Sequence, residues 1–175
     1  SMLVLRPADV NETTVAWQLA LENTATPTGL ILTRQNISTI MDYEQAKGAK
    51  KGAYVLKSEE NPDVVLLANG SEVSALMEVS VLLKEKGIKA SVVSAPSEGL
   101  FFSQSNEYRQ SVIPNGIPVF GLTAGLSTTL SELVGPNGVV YGLDHFGYSA
   151  PFKVLDEKFG FTPENIFNQV VEFLK

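Results

Sequence analysis

The sequence predicts an α/β fold built around parallel strands. The run Asp63–Ala68 is apolar throughout after its first residue, which is typical of a buried strand, and residues 73–83 repeat apolar side chains at helical spacing. A second strand is predicted at Lys89–Ser94. Two strands joined by a helix form a crossover unit with parallel strands. With 44% apolar and 18% charged residues among 175, the chain also has the composition of a globular protein with a core.

The N-terminal region predicts one helix and one strand. Asp9 and Glu12 have the spacing of a capping box, and apolar side chains then recur at helical spacing, so we expect a helix over about 10–23. Gly29–Thr33 is a short, mostly apolar run typical of a buried strand, and Arg34 follows directly at its carboxyl end. These elements are predicted to belong to a different domain from the rest of the chain.

A region poor in apolar side chains separates the two parts. Residues 35–52 are rich in Gly, Ala and Lys, which is typical of a linker. We therefore divide the chain into a helix–strand remnant of one domain (residues 1–36), a linker (37–52) and a complete domain (53–175). The linker's basic cluster is interpreted as a solvated face; its members are Lys47, Lys50 and Lys51.

The complete domain opens with a predicted strand at Ala53–Leu56, and further strands are expected at 117–122 and 138–143. Ser71 is predicted as the N-cap of the crossover helix, and Gly87 as its left-handed C-terminal residue.

Two more helices are predicted near the end of the chain. One begins after Pro151 and stops at Gly160, and the last has Thr162 as N-cap with Pro163 at its first helical position. The predicted core stripe of the last helix is Ile166, Phe167, Val170, Val171 and Leu174.

Composition excludes several classes of function. A net charge of -6 opposes broad nucleic-acid binding through a basic surface. The sequence contains no cysteine, which excludes disulfides, thiolate metal sites and cysteine nucleophiles, and which agrees with a cytoplasmic location. No apolar run approaches the length of a membrane span. Ser1-Met2 is interpreted as an engineered start.

Two patterns could carry chemistry, and each also has a structural interpretation that we favour. The turn Asn69–Ser71 could bind an anion on its backbone amides, but it lacks the full glycine pattern of such loops. Gly121–Gly125 resembles a nucleophile elbow with Thr123 in the nucleophile position. Its partners would be Asp144 and His145, but adjacent residues rarely assemble into a triad, and a lone histidine does not make a metal site.

Arg34 is the strongest candidate. An arginine at the carboxyl end of a buried strand lies where open α/β sheets bind ligands, and the guanidinium group suits a phosphate. A surface ion pair with a nearby carboxylate explains the same residue equally well.

Several short segments, in this order, give the chain a resemblance to a known family. They are Arg6–Asp9, Leu32–Asn36, Asn69–Val73, Glu107–Val112, Phe146–Pro151 and Phe159–Asn165. Together they resemble the C-terminal part of a transketolase.

The resemblance implies a three-layer α/β/α C-terminal domain over 53–175, with a mostly parallel sheet and one antiparallel strand. It implies that Arg34 binds the phosphate of a sugar-phosphate substrate, while Arg6 and Asp9 serve structure. The sequence departs from the family at 121–127, where relatives often carry Glu-Ala-Gly.

The resemblance also implies an activity for a longer parent enzyme. That enzyme transfers a two-carbon ketol unit between sugar phosphates, in the cytoplasmic pentose phosphate pathway, as a homodimer. It uses thiamine diphosphate and a divalent metal, Mg or Ca. Because the family's cofactor motifs are not in this sequence, we expect no catalytic, cofactor-binding or metal-binding residue here, and an inactive fragment.

A second class of function stays open, namely a stand-alone α/β interaction or regulatory module that shares this domain. The sequence also does not separate transketolase from relatives such as dihydroxyacetone synthase, and it does not give the donor or acceptor preference.

Overall fold

The computed structural model describes residues 2–175, which form two sheets and the helices around them. The strands are β1 (Leu3–Leu5), β2 (Thr28–Leu30), β3 (Tyr54–Lys57), β4 (Val64–Ala68), β5 (Ala90–Ser94), β6 (Val119–Leu122) and β7 (Val139–Tyr141). The α-helices are α1 (Val10–Glu22), α2 (Tyr43–Ala46), α3 (Glu72–Glu85), α4 (Glu98–Phe102), α5 (Asn106–Val112), α6 (Ser131–Val134), α7 (Phe152–Phe159) and α8 (Pro163–Phe173). Lys47–Lys51 and Ser127–Leu130 are 3₁₀ helices.

The larger sheet confirms the predicted α/β class. Its five strands run in the order β3-β5-β4-β6-β7, and every neighbouring pair is parallel except β3 and β5. The smaller sheet pairs β1 with β2 in parallel. The sheet thus has one antiparallel strand, as the family resemblance implied, and the structure shows that this strand, β3, lies at an edge.

Helices cover both faces of the five-stranded sheet, which gives three layers. Along β4, Leu66 belongs to the core on one face, and Leu67 belongs to the core on the other. The first core includes buried side chains of α3 and α8, such as Leu76 and Val170. The second includes Phe101 of α4 and residues of α5 and α6. Because side chains alternate between faces along a strand, a strand covered on both faces is apolar throughout, as β4 is.

Most of the predicted helix ends are confirmed. The side chains of Asp9 and Thr162 cap α1 and α8, and Gly160 adopts the left-handed conformation after α7. Gly87 has a φ of 76° just after α3. Ser71 is at the predicted N-cap position of α3, but its side chain does not cap the helix, because its backbone is already helical and its hydroxyl donates to Glu72 Oε1 at 2.7 Å.

The predicted strand 29–33 is shorter in the structure and begins one residue earlier. β2 ends at Leu30 because its partner β1 ends at Leu5, and residues 31–33 are exposed. Arg34 therefore lies in a loop beyond the strand. β1 itself was not predicted, since three residues are too few to show a periodicity.

The segment predicted as a linker carries the short helix α2 and a 3₁₀ helix. Met41, Ala46 and Ala49 are buried in the same core as Val15 of α1 and Tyr54 of β3. Alanines contribute little apolar volume each, so this packing leaves a weak signal in the sequence.

Candidate functional site

The carboxyl edge of the five-stranded sheet has a topological switch point between β4 and β6. The chain leaves β4 through α3 toward β5 on one side, and it returns to β6 on the other side. In open α/β sheets, ligands bind in the crevice that such a switch point opens.

Arg6, the residue directly after β1, fills this crevice. Its Nη1 donates to Asn69 Oδ1 at 2.5 Å and to the Asn69 carbonyl oxygen at 3.2 Å, and it lies 3.4 Å from Thr123 Oγ1. Its Nη2 lies 2.6 Å from Glu72 Oε2 in an ion pair. An arginine from the same chain therefore occupies the position where a ligand would bind.

The turn between β4 and α3 is shaped around this arginine. A Cβ on Gly70 would lie 2.8 Å from Arg6 Cζ, and Gly70 has a φ of +62°. The Gly70 backbone N–H donates to the Arg6 carbonyl oxygen at 2.9 Å. Glu72, largely buried, also accepts from the Ala124 backbone N–H at 3.1 Å. These contacts favour the structural interpretation of this turn over an anion site.

The residues of the imagined triad make separate contacts. Thr123 is buried and its hydroxyl accepts from the Gly125 backbone N–H at 3.1 Å. Asp144 accepts from the backbone N–H and the hydroxyl of Ser127, and these bonds lower the pKa of the Asp144 carboxyl. His145 Nδ1 lies 2.8 Å from the Phe146 carbonyl oxygen. This geometry supports no hydrolase.

The basic cluster of residues 37–52 is a solvated face, since Lys47, Lys50 and Lys51 are exposed. Lys47 pairs with Glu44 at 2.6 Å, and this bond raises the pKa of Lys47. The Lys51 ammonium lies over the Tyr108 ring, 4.2 Å from its centroid.

Arg34 has a different environment. Its side chain is exposed in the loop after β2, and within residues 2–175 it makes no hydrogen bond and no ion pair. The surface ion pair that the sequence left open is therefore not formed. Arg34 lines a cleft of about 660 Å³ together with Gln35, Tyr148 and Phe152.

Three parts of the chain line this cleft. They are the loop that carries Arg34, the first half of α3 with the turn before it, and α7 with the segment before it. Tyr148 stacks on Phe159 with ring centroids 5.7 Å apart. Asp156, also at the cleft, has a raised pKa because it is partly buried and lies near Glu72. Of the two arginines that line this cleft, Arg6 is paired with Glu72, and Arg34 forms no ion pair within residues 2–175.

Over residues 2–175, no group of three or more His, Asp or Glu side chains lies close enough together to hold a metal ion. No helix over the same range is both long and apolar enough to cross a membrane.

Comparison with known proteins decides the family. The profile described as "Transketolase-like TK C-terminal domain" matches residues 52–162. The chain belongs to the transketolase family. It is 46% identical over 98% of its length to a transketolase of Staphylococcus aureus (strain MW2), and 43% identical over 98% to one of Aquifex aeolicus (strain VF5). It spans 26% of each of these relatives, about a quarter of their length.

The fold agrees with solved transketolases. A transketolase of Pichia stipitis in complex with sedoheptulose-7-phosphate superposes with a TM-score of 0.91 over 99% of this chain and 25% of that one, at 36% identity. The chain therefore corresponds to about a quarter of these transketolases and includes the C-terminal domain of the family. The similarity to curated relatives extends beyond the matched domain, since 98% of the chain includes the segment around Arg34.

Sequence reasoning missed the contacts that join the two parts of the chain. Arg6 and Glu72 are far apart in the sequence, as are Glu12 and Ser94, so no local pattern pairs them. A signal was present in the types of residue. Glu12 and Glu72 are acidic residues in the first turns of apolar helices, where burial requires a partner.

Proposed function

We propose that this chain belongs to a longer enzyme that transfers a two-carbon ketol unit between sugar phosphates, and that Arg34 binds the substrate phosphate. The observation that carries the proposal is the unpaired, exposed guanidinium of Arg34 at an open cleft. The sugar-phosphate complex of the Pichia stipitis relative supports the substrate class.

The chemistry of arginine suits this role. A guanidinium presents five N–H donors in a rigid fork and stays charged at any physiological pH, so it matches the oxygens of a phosphate dianion. The phosphate of a sugar phosphate lies away from the carbon atoms that react. Arg34 therefore binds and orients the substrate and takes no part in the bond changes.

We infer that the cofactors are held by parts of the parent enzyme outside this chain. Thiamine diphosphate, with Mg or Ca, supplies the carbanion chemistry in transketolases. The chain alone is therefore proposed to be inactive.

The proposed organisation follows the family. Residues 1–36 are the last helix and strand of a pyrimidine-binding domain, 37–52 connect, and 53–175 form the transketolase C-terminal domain. The parent enzyme is proposed to act as a homodimer in the cytoplasm, in the pentose phosphate pathway.

Calorimetry and a ketol-transfer assay test this proposal directly. The full-length protein should bind thiamine diphosphate in the presence of magnesium and should transfer ketol units between sugar phosphates. The 175-residue chain should do neither. Saturable micromolar binding of thiamine diphosphate by the chain alone would contradict its proposed inactivity. Absence of transfer in the cofactor-loaded full-length protein would contradict the proposed activity.

A further inference from the structure

The carboxylate of Asp9 divides its two oxygens between two elements. Oδ1 accepts from the Glu12 backbone N–H at 2.9 Å and so caps α1. Oδ2 accepts from the backbone N–H groups of Ile40 at 3.0 Å and Met41 at 3.3 Å. Asp9 is only 3% exposed, so these bonds are shielded from water. Capping explains one oxygen and leaves the other to a separate role.

Ile40 and Met41 lie at the far end of the loop that carries Arg34. This loop, residues 31–41, contains no helix or strand. Its near end is tied to the small sheet, because the Ile31 backbone N–H donates to the Leu5 carbonyl oxygen at 2.9 Å. At its far end, Asn11 Nδ2 donates to the Met41 carbonyl oxygen at 2.8 Å.

The loop is therefore held at both ends by residues of one short segment, 5–11. Between the two ties the chain is free of regular hydrogen bonding, and the side chains at 31–34 are exposed. A loop with a fixed span samples far fewer conformations than one with a free end. The position of Arg34 thus depends on the contacts at the far end, where Asp9 accepts two hydrogen bonds and Asn11 donates a third.

We propose that Asp9 is a positioning residue for Arg34: its second carboxylate oxygen fixes the far end of the loop and holds the guanidinium at the cleft. Asp9 is buried and does not line the cleft, so it does not touch the substrate. The inference rests on the proposed role of Arg34 as the phosphate contact. It adds that Asp9 holds the Arg34 guanidinium in the position where it makes that contact.

Asp9→Asn separates the two roles of the side chain. Asparagine caps a helix as well as aspartate does, but it has one acceptor oxygen in place of two. If that oxygen caps α1, an NH₂ group faces the N–H groups of Ile40 and Met41, and the tie is lost. In the full-length enzyme, the KM for a phosphorylated sugar should rise about 5- to 50-fold through misplacement of Arg34.

Other kinetic parameters should change little. A remote phosphate is bound in the ground state and in the transition state alike, so kcat should fall less than about twofold. The KM for a non-phosphorylated sugar should not move. A structural defect would lower the activity on both substrates, so this split distinguishes positioning from general damage.

Asp42→Asn is the matched control. Asp42 caps α2 through the Gln45 backbone N–H, at 2.8 Å, and its side chain has no contact with Ile40 or Met41 among the hydrogen bonds of residues 2–175. Asp42→Asn removes the same charge from the same kind of cap, and it should leave KM and kcat unchanged for both sugars.

Combining variants shows whether Asp9 acts through Arg34. In an Arg34→Ala background, Asp9→Asn should add no further rise in the KM for phosphorylated sugars, because the effects of substitutions at coupled residues are not additive. Independent, additive losses would overturn the inference. If Arg34→Ala alone leaves that KM unchanged, the proposed function fails rather than the tie.

Amide hydrogen exchange tests the tie without any activity. In the full-length enzyme, Asp9→Asn should accelerate exchange at Ile40 and Met41 at least tenfold, because their N–H groups lose the Asp9 acceptor, and it should leave Ile31 protected. Unchanged exchange at Ile40 and Met41 would overturn the inference. Should Asp9→Asn fail to fold, Asp9→Ser keeps a capping hydroxyl that is too short to reach the loop. Asp9→Ser should then show the same exchange and KM pattern, and a normal pattern in that variant would contradict the tie.

Discussion

Arg6 and Glu72 form an ion pair, 2.6 Å between Nη2 and Oε2, at the point where the five-stranded sheet would otherwise open a ligand crevice. The pair joins the end of β1 to the start of α3, and the side chains are 21% and 8% exposed. It therefore closes the crevice and attaches the small sheet, from which the Arg34 loop departs, to the larger one.

The first prediction concerns this pair. Arg6→Ala leaves the largely buried Glu72 carboxylate without its cation, and it should lower the free energy of unfolding by about 2–4 kcal/mol, because removing one partner strands a buried charge. Urea unfolding of the chain measures this. The control is Lys175→Ala, which breaks the Lys175–Glu172 pair at the same 2.6 Å but on the surface, with side chains 67% and 72% exposed. It should cost less than about 1 kcal/mol, and equal losses in the two variants would contradict the importance of burial.

The second prediction concerns pH. Glu12 is fully buried and accepts from the hydroxyls of Tyr54, at 2.8 Å, and Ser94, at 2.7 Å. Burial raises the pKa of Glu12 from 4.5, and it outweighs these hydrogen bonds, which favour the charged form. The folded chain therefore binds a proton more tightly than the unfolded chain, and the free energy of unfolding falls as pH rises from about 4.5 through the raised pKa.

Glu12→Gln should remove this part of the pH dependence. Urea titrations from pH 4 to pH 8, extrapolated linearly to zero denaturant, give the free energy of unfolding of the unsubstituted chain and of the variant. The stability of the unsubstituted chain relative to Glu12→Gln should fall as pH rises. If the relative stability stays constant, or if the unsubstituted chain gains stability relative to Glu12→Gln as pH rises, the hydrogen bonds outweigh burial.

The third prediction concerns domain organisation. Residues 53–175 should fold cooperatively without residues 1–50, because both cores of the five-stranded sheet include residues of this part. The midpoint should be lower than in the whole chain, since Glu72 loses Arg6 and Tyr54 loses Glu12. Thermal unfolding followed by calorimetry is the measurement. If the shortened chain shows no cooperative transition, the domain boundary does not lie just before residue 53.

In the same shortened chain, the last helix supplies the contrast between core and surface. Val170 is fully buried, so Val170→Asp puts an unpaired charge into the core and should abolish the transition. Asn168→Asp adds the same group at an exposed position of α8 and should move the midpoint little.

The fourth prediction concerns association. Around the small sheet, Met2, Val4, Ile31 and Leu32 are apolar and between 43% and 58% exposed. Apolar patches of this kind favour association, so the chain should form a homodimer or a concentration-dependent assembly. Sedimentation velocity at micromolar concentration tests this, and the double variant Val4→Lys, Leu32→Lys should shift the distribution toward monomer. If the unsubstituted chain sediments only as a monomer, the predicted association is wrong.

The sequence predicted those features that are written in local patterns. α1 and α8 could be placed because Asp9 and Thr162 cap them and apolar residues follow at helical spacing. β4 could be placed because it is covered on both faces and is therefore apolar throughout. Ser71 lies at the N-cap position of α3 but does not cap the helix, because its hydroxyl donates to the carboxylate of the neighbouring Glu72.

The parts that escaped prediction depend on distant residues. β2 was predicted too long because its length is set by β1, which is too short to be recognised. Arg34 could be singled out by residue type and place. That Arg34 forms no ion pair within residues 2–175 could not be predicted, because the fold sets the positions of the carboxylates. The second role of Asp9 was equally hidden, since an N-cap motif accounts for only one of its oxygens.

The most direct test of the central claim is the kinetics of Arg34→Ala in the full-length enzyme with paired phosphorylated and non-phosphorylated sugars. Loss of a charge-assisted bond of about 1.5–3 kcal/mol should lower kcat/KM for the phosphorylated sugar about ten- to two-hundred-fold, mainly through KM. Arg34→Lys, which keeps the charge but not the fork, should lose less. The non-phosphorylated sugar should be almost unaffected in both variants. Equal losses on the two sugars would contradict the claim and would assign Arg34 to the fold.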